Sequence, residues 1–381
     1  MRDVVIVDAV RTAIGKRGRS LADVHPVDLS ADVLTALVQR TGIDPAVVDD
    51  VIWGCVSQIG DQSSNIARFA VLAAGWPVTV PGTTINRACG SSQQAIDFAA
   101  YALLSGDCEV VLAGGVESMS RLPLGVTRST GFPYGPRVME RFEKFSFNQG
   151  LSAEAIAQKW ALSRARLDEY ASLSHQRADE AMQSGRFDAE ITPIATASGP
   201  FRHDEGVRPG TSPETLAKLP ASFTDDGVIH AGNSSQISDG AAALLLMTGA
   251  KARELGLSPI ARFKAGAVAG ADPVLMLTAP IPATEKVLRR CGLSIDDIGV
   301  FEVNEAFAVV PLAWMAEVGA DADRVNPVGG AIALGHPLGA SGAILMTRMV
   351  HHMRRNELRY GLQTMCEGGG TANATVVELV G

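Results

Sequence analysis

Positive charge is in short supply in this chain. Lys and Arg number 33 against 41 Asp and Glu, a formal net charge of −8. Nothing resembles an extended basic stripe, which argues against nucleic acid as a partner, and an anionic substrate would need a locally basic site. Cysteine is sparse: Cys55, Cys89, Cys108, Cys291 and Cys366, five in all, with no CxxC spacing. An odd count without that spacing argues against a disulfide framework or a zinc site, so no metal is expected. Long hydrophobic runs are missing too. "AAALLLM" (241–247) is far too short to span a bilayer, and no membrane partner is expected. The opening "MRDVVIVDAVRT" meets Asp8 and Arg11 early. It reads as a strand rather than a signal peptide, and the expected location is the cytoplasm.

Aromatic residues make up only 5% and charged residues 19% of the 381 positions, while hydrophobic residues reach 46% and glycine counts 39. That is an Ala/Gly/Val-rich globular composition, long enough for more than one packed unit. Strand and helix signals alternate: strand 4–8, helix 26–41, strand "VIWGCV", helix across "NIARFAVLAAG", strand "GTTINRA". After Cys89, apolar Ala95, Ile96, Ala99, Ala102 and Leu103 recur at helical spacing, Gly106 suits a C-terminal cap, and "CEVVLAGG" reads as a buried strand.

From about 119 to 240 Pro, Gly and charge rise. An amphipathic helix is read at 163–185 and a loop at "SGPFRHDEGVRPGTSPE". The stretch 121–144 is locally basic, with Arg121, Arg128, Arg137, Arg141 and Lys144 against Glu140 and Glu143. From about 259 the α/β pattern returns and repeats the first part. "TGIDPAVVDDVIWGCV" (41–56) matches "CGLSIDDIGVFEVNEAF" (291–307), and "NRACGSSQQAI" (86–96) matches "ALGHPLGASGAI" (333–344). The chain therefore reads as α/β with two duplicated halves, 1–118 (with 241–258 returning to it) and 259–381, around an inserted loop domain at 119–240.

Four stretches could carry chemistry. Cys89 lies between a strand and a helix, where unpaired N–H groups and the helix dipole favour thiolate, and Gly90 removes bulk beside the sulfur. His336, in the Gly-rich loop "GHPLGASG" (335–342), has the surroundings of a held base. His351 and His352, on a basic helix end, read as solvated. Cys366 ends an apolar strand and precedes three glycines in "MCEGGG" (365–370), whose backbone N–H groups can approach an oxyanion. Asn304 and Glu305 follow a strand in "VNEAF" (303–307). Taken singly, each stretch also has a purely structural reading.

Together, in this order, and with "VDAVRTAIGK" (7–16) and "AGNSSQISDGAAA" (231–243), the four stretches resemble the thiolase family, the acetyl-CoA acyltransferases, over effectively the whole chain. The resemblance implies a five-layered α-β-α-β-α fold. It implies CoA-dependent cleavage of 3-ketoacyl-CoA to acetyl-CoA and a shortened acyl-CoA, through a ping-pong mechanism. Cys89 would be acylated, His336 would take its proton, and Cys366 would be the second acid/base. Asn304 would hold a water that forms one oxyanion hole with His336, and the N–H groups of Cys89 and Gly368 would form the other. No cofactor would be bound, and coenzyme A would be a co-substrate. The loop domain would bind it, with Arg208 near the adenine and Phe223 and Ser235 along the pantetheine. Met276 and Phe307 would line the acyl pocket. The partners implied are acyl-CoA and CoA, with tetramer contacts through 121–144 in a homodimer or homotetramer.

Two departures stand out. Asn148 and Gln149 replace the His-Met pair common in biosynthetic members, which tilts the reading toward degradation; acetoacetyl-CoA synthesis is the alternative. Glu367 stands where an apolar residue is usual. A carboxylate beside the reacting thiol would raise its pKa or meet the substrate, and tuning of acyl choice is expected of it. A non-catalytic CoA-ester or lipid-binding protein would be expected to lose one of the four reactive residues. A decarboxylating condensing enzyme would lack the Cys366 thiol.

Overall fold

The computed structural model describes residues 2–129, 131–143 and 147–380. Strand β1 (Val4–Thr12) is buried along its whole length. Helix α1 (Pro26–Thr41) starts on Pro26 and stops where Gly42 takes a left-handed conformation. Strand β2 (Asp50–Gly54), helix α2 (Ile66–Ala73), edge strand β3 (Thr83–Ile85), helix α3 (Ser91–Ser105) and strand β4 (Val110–Ser118) follow. Gly106 ends α3 at φ 93°, an angle that glycine adopts at no steric cost.

Helices α4 (Gln149–Lys159) and α5 (Arg164–Gln183) come next, and Ser163 caps α5 by accepting from the Arg166 N–H. Strand β5 (Ser238–Thr248) contains the "AAALLLM" run and is buried on both faces. The second half comprises strand β6 (Ala261–Gly270), helix α6 (Pro280–Cys291), strand β7 (Val300–Val303) and helix α7 (Val309–Val318). It closes with helix α8 (Ser341–Asn356) and strands β8 (Tyr360–Glu367) and β9 (Thr371–Leu379).

Among the described residues the main sheet has eleven strands; nine lie on the path β7-β8-β9-β6-β1-β5-β4-β2-β3, and the short strands Gly15–Lys16 and Ile191–Thr192 pair off it with β5 and β1. Read outward from its centre, the path shows the duplication. β1 pairs antiparallel with β5, β5 antiparallel with β4, and β4 parallel with β2. β6, β9, β8 and β7 repeat the same three pairings. The two half-sheets are joined rather than merely facing: β1 meets β6 at Val5↔Arg262 and Ile6↔Ala261.

Three apolar cores define the layers. α1 and α2 cover one face of the first half-sheet through Leu29, Val33, Leu37, Ile66 and Val71. α6 and α7 cover the outer face of the second through Val287, Leu312 and Trp314. Between the half-sheets, α3 (Ala95, Ile96, Ala99) packs with α8 (Ala343, Ile344, Met346) against strands of both. The small residues of "GASG" permit this approach, since a Cβ on Gly342 would lie 2.3 Å from the Gln93 backbone nitrogen. Both helices open at the same end, which is where the four reactive stretches meet.

The segment 119–240 is tied to the sheet by a buried ion cluster. Arg11 on β1 meets Glu190 and Asp204, each at 2.7 Å. Its long loop is more ordered than its composition suggests, because Gly199–Phe201 pairs with Ile194–Thr196 as a small hairpin. Of its basic side chains, Arg121 meets Asp61 at 2.6 Å, and Arg128 and Arg141 lie over the rings of Tyr134 and Phe142. Lys144 lies outside the described residues. His351 and His352 are not solvated as read: both are half-buried, and His351 Nε2 donates to the Ala9 carbonyl at 2.9 Å. Among the described residues no helix is long and apolar enough to cross a membrane.

Candidate active site

The Cys89 turn is built by its neighbours. The Asn86 side chain accepts from the Ala88 N–H at 2.8 Å. Ser91 Oγ accepts from the Arg87 N–H at 2.9 Å and donates to the Ala88 carbonyl at 2.6 Å. These bonds hold Ala88 at φ 44°, a left-handed angle that costs a non-glycine residue about 1–3 kcal/mol. The strain delivers Cys89 to the head of α3, buried against Leu345 and Met365. Gly90 proves necessary for a different reason than clearance around the sulfur. A Cβ there would fall 2.1 Å from Glu367 Oε1 and 2.9 Å from Asn373 Nδ2.

The thiol does not rest as thiolate. Burial pushes the Cys89 pKa up to about 12, and the carboxylates of Glu367 and Glu117 add to the rise. Hydrogen bonds from its own N–H and from the Gly368 N–H offset only part of this. The helix terminus, read from the sequence as favouring thiolate, is outweighed by desolvation. A separate base is therefore needed, and the geometry supplies one.

His336 is 4% exposed, and burial lowers its pKa to about 4, so the ring is neutral near pH 7. Ser341 Oγ donates to the Pro337 carbonyl at 2.8 Å, which leaves the oxygen to accept from His336 Nδ1 at 2.6 Å. The proton is thereby assigned to Nδ1, and Nε2 keeps its lone pair. Asn304 Nδ2 stands 3.4 Å from that nitrogen, and the same side chain hydrogen-bonds the Cys366 sulfur. Burial, then the nearby Cys89 sulfur, then Glu367 raise the Cys366 thiol as well. Cys89, Cys366, Asn304 and His336 thus form one connected, buried group, with the half-buried Gly368 at its edge.

Glu367 does not share Cys366's side of β8, because successive residues of a strand face opposite ways. Its carboxyl is fully buried behind the Cys89 turn, taking the Thr371 hydroxyl at 2.5 Å. Burial lifts its pKa to about 7 against that bond and the Arg87 charge. This placement speaks against a direct role in acyl choice.

The remaining expected residues are joined by neighbouring contacts. Arg208, exposed, reaches Gln236 at 3.4 Å. The Ser235 N–H donates to the Ala306 carbonyl at 2.9 Å. Phe307 meets Phe223 edge-on at 6.1 Å, and a Cβ on Gly150 would overlap the Phe223 ring at 2.2 Å. Gln149 then faces the centre, its Nε2 being 3.6 Å from where a Cβ on Gly368 would lie. Asn148 does not face the path; its side chain caps α4 by accepting from the Gly150 N–H at 2.9 Å. Met276 is buried at φ 48° beside this core. A separate surface groove of about 660 Å³ between α4 and residues 224–228 holds none of these residues.

Two positioning residues escaped the sequence reading. Ser341 sits inside the recognised loop and could have been found as the only hydroxyl there. Glu117 accepts from the N–H groups of Val56 (3.0 Å), Ser57 (3.1 Å) and Gly339 (2.8 Å), tying the His336 loop to the first half. Its partner Gly339 is 222 positions away, so nothing in the local sequence marks it.

The chain is similar to known proteins along its whole length. Residues 4–250 match the family model "Thiolase, N-terminal domain" and residues 257–379 match "Thiolase, C-terminal domain". The chain is 50% identical to "Steroid 3-ketoacyl-CoA thiolase FadA6" of Mycobacterium tuberculosis, over 99% of this chain and 94% of that protein. It is 45% identical to "3-ketoacyl-CoA thiolase" of Erwinia tasmaniensis and 44% identical to the protein so named in Klebsiella pneumoniae, each over 100% of both chains.

Proposed function

This chain belongs to the thiolase family and is an acyltransferase that cleaves 3-ketoacyl-CoA with free CoA; we propose that it does so through an acyl group carried on Cys89. The observation that carries this reading is the unprotonated Nε2 of His336, oriented by Ser341 and linked through Asn304 to Cys366 and so to Cys89.

In the first half-reaction the Cys89 proton passes to His336 Nε2 as the sulfur attacks the 3-keto carbon. The transfer is uphill in the empty site, so it proceeds as the S–C bond forms. The N–H groups of Cys89 and Gly368 receive the oxyanion. The C2–C3 bond then breaks, and the departing acetyl-CoA enolate takes a proton from Cys366. Protonated His336 and a water on Asn304 stabilise the enolate oxygen. In the second half-reaction free CoA gives its thiol proton to the Cys366 thiolate and attacks the thioester. The S–C bond to Cys89 breaks, and the sulfur recovers its proton from His336. All groups return to their starting state.

CoA enters as a co-substrate along Arg208, Ser235 and Phe223, and the acyl group lies against Met276, Phe307 and Gln149. The relative named for steroid thiolysis makes steroid-derived 3-ketoacyl-CoA the first donor to compare with straight-chain donors. A cytoplasmic homodimer or homotetramer completes the reading. Exposed Phe69 and Leu72 on α2, and Phe98, Tyr101 and Leu104 on α3, support assembly. Thiolysis should be followed by loss of 3-ketoacyl-CoA in the presence of CoA. His336→Ala and Cys366→Ser are each expected to slow it by about 10²–10⁴-fold. A variant within a few-fold of the parent would remove that residue from the mechanism.

A further inference from the structure

We propose that Glu367 is a positioning residue that adds to the effect of burial in holding Cys89 as a thiol in the empty site, because its carboxylate and a Cys89 thiolate would crowd two negative charges at the head of α3. The proposal rests on Cys89 being the acylated residue. Its geometry is specific. Oε1 lies against Gly90, the N-cap of α3, where a Cβ would come within 2.1 Å of it. That oxygen is fully buried and has no hydrogen-bond partner among the described residues. A desolvated carboxylate oxygen without a partner leans on the positive end of the helix, and a thiolate at Cys89 would draw on that same end.

The other charges do not relieve the conflict. Arg87, on the loop before α3, is the cation facing Glu367. Glu117 at the end of β4 adds negative charge around Cys89, while Asp97 on α3 is raised to about 8 by burial and by Glu367 itself and so stays protonated near neutrality. Arg290, on α6, acts on Asp97. Cys366 is the remaining titratable group, and Glu367 opposes its ionisation too. Because Glu367 itself titrates at about 7, its hold on Cys89 strengthens as pH rises through neutrality. The nucleophile stays less reactive toward stray electrophiles until a substrate carbonyl oxygen engages the Cys89 and Gly368 N–H groups.

Iodoacetamide alkylation of Cys89 tests this, since the S–C bond forms from the thiolate as iodide leaves. Peptide mass mapping separates Cys89 from the other cysteines. Glu367→Gln keeps the shape and removes the charge. The variant and parent should react alike near pH 6, where Glu367 is protonated, and the variant should be about tenfold faster by about pH 8.5. Thr371→Val removes the bond that favours the charged carboxylate. It should exceed the parent between about pH 7 and 8 and rejoin it above.

Coincident profiles of parent and Glu367→Gln overturn the proposal. A rate ratio constant across pH also overturns it, because that marks a loosened turn rather than a removed charge. If Glu367→Gln does not fold, an unmoved Thr371→Val profile overturns it alone. A parent that alkylates at Cys89 but is never acylated there by 3-ketoacyl-CoA defeats the reading of the site, and the proposal with it.

Discussion

Ser341 decides which nitrogen of His336 is the base. Ser341→Ala removes the acceptor for Nδ1–H and frees the ring to take the wrong tautomer. We expect kcat to fall by about 10–100-fold with KM within about twofold and Tm nearly unchanged, in steady-state thiolysis with thermal unfolding alongside. Gln149 is the departure that faces Gly368 beside the two thiols, whereas Asn148 only caps a helix. Gln149→Met should shift the ratio of kcat/KM between a bulky and a short 3-ketoacyl-CoA by about tenfold, read by competition between the two donors. An unchanged ratio would take Gln149 out of the acyl pocket. At this scale the sequence showed the reactive residue types, because each sits at a junction of strand or Gly-rich loop with helix. It could not show that burial lifts Cys89 to about 12. Nor could it reveal that Gly90 clears space for Glu367, which is distant in sequence.

The two central helices carry the site because they pack closely enough to bring their heads together. Gly342→Ala would set a Cβ 2.3 Å from the Gln93 nitrogen, and backbone on both sides leaves no room to yield. We expect a loss of about 1–3 kcal/mol in urea unfolding and a matching loss of activity, since α3 and α8 would separate at Cys89 and His336. Full stability in this variant would contradict the packing described. Most elements were legible because their ends are chemically marked: Pro26 and Gly42 bound α1, Ser163 caps α5, and Gly106 ends α3. Less legible were the hairpin at 194–201 and the start of β5 at Ser238. Their short strands and Gly-rich approaches depend on tertiary pairing rather than local pattern.

The duplicated halves give the molecule a buried polar centre, and that centre makes stability depend on pH. Burial raises the Asp97 pKa to about 8 and that of Glu302 to about 7. A raised carboxyl gives stability that is complete below its ordinary range and is lost as pH rises through the folded value. The neutral buried His175 and His336, at about 4, act in the opposite sense, but only below their ordinary value of 6.5. Between about pH 6.5 and 8 the carboxyls therefore act alone. Unfolding free energy from urea titrations should fall across that window, and Asp97→Asn should flatten the fall. A profile that rises instead would contradict the protonated state of Asp97. The repeat between the halves was readable from order and spacing, while the joining of the half-sheets at Val5↔Arg262 and Ile6↔Ala261 was not, because no local pattern fixes that register. The central claim is that Cys89 carries the acyl group. Its most direct test incubates the parent and Cys89→Ser with a panel of 3-ketoacyl-CoA donors and locates the adduct by peptide mass mapping. An acyl group on Cys89, released by free CoA and absent from Cys89→Ser, is the predicted result. Acyl transfer that persists in Cys89→Ser, or an adduct on any other residue, would contradict it.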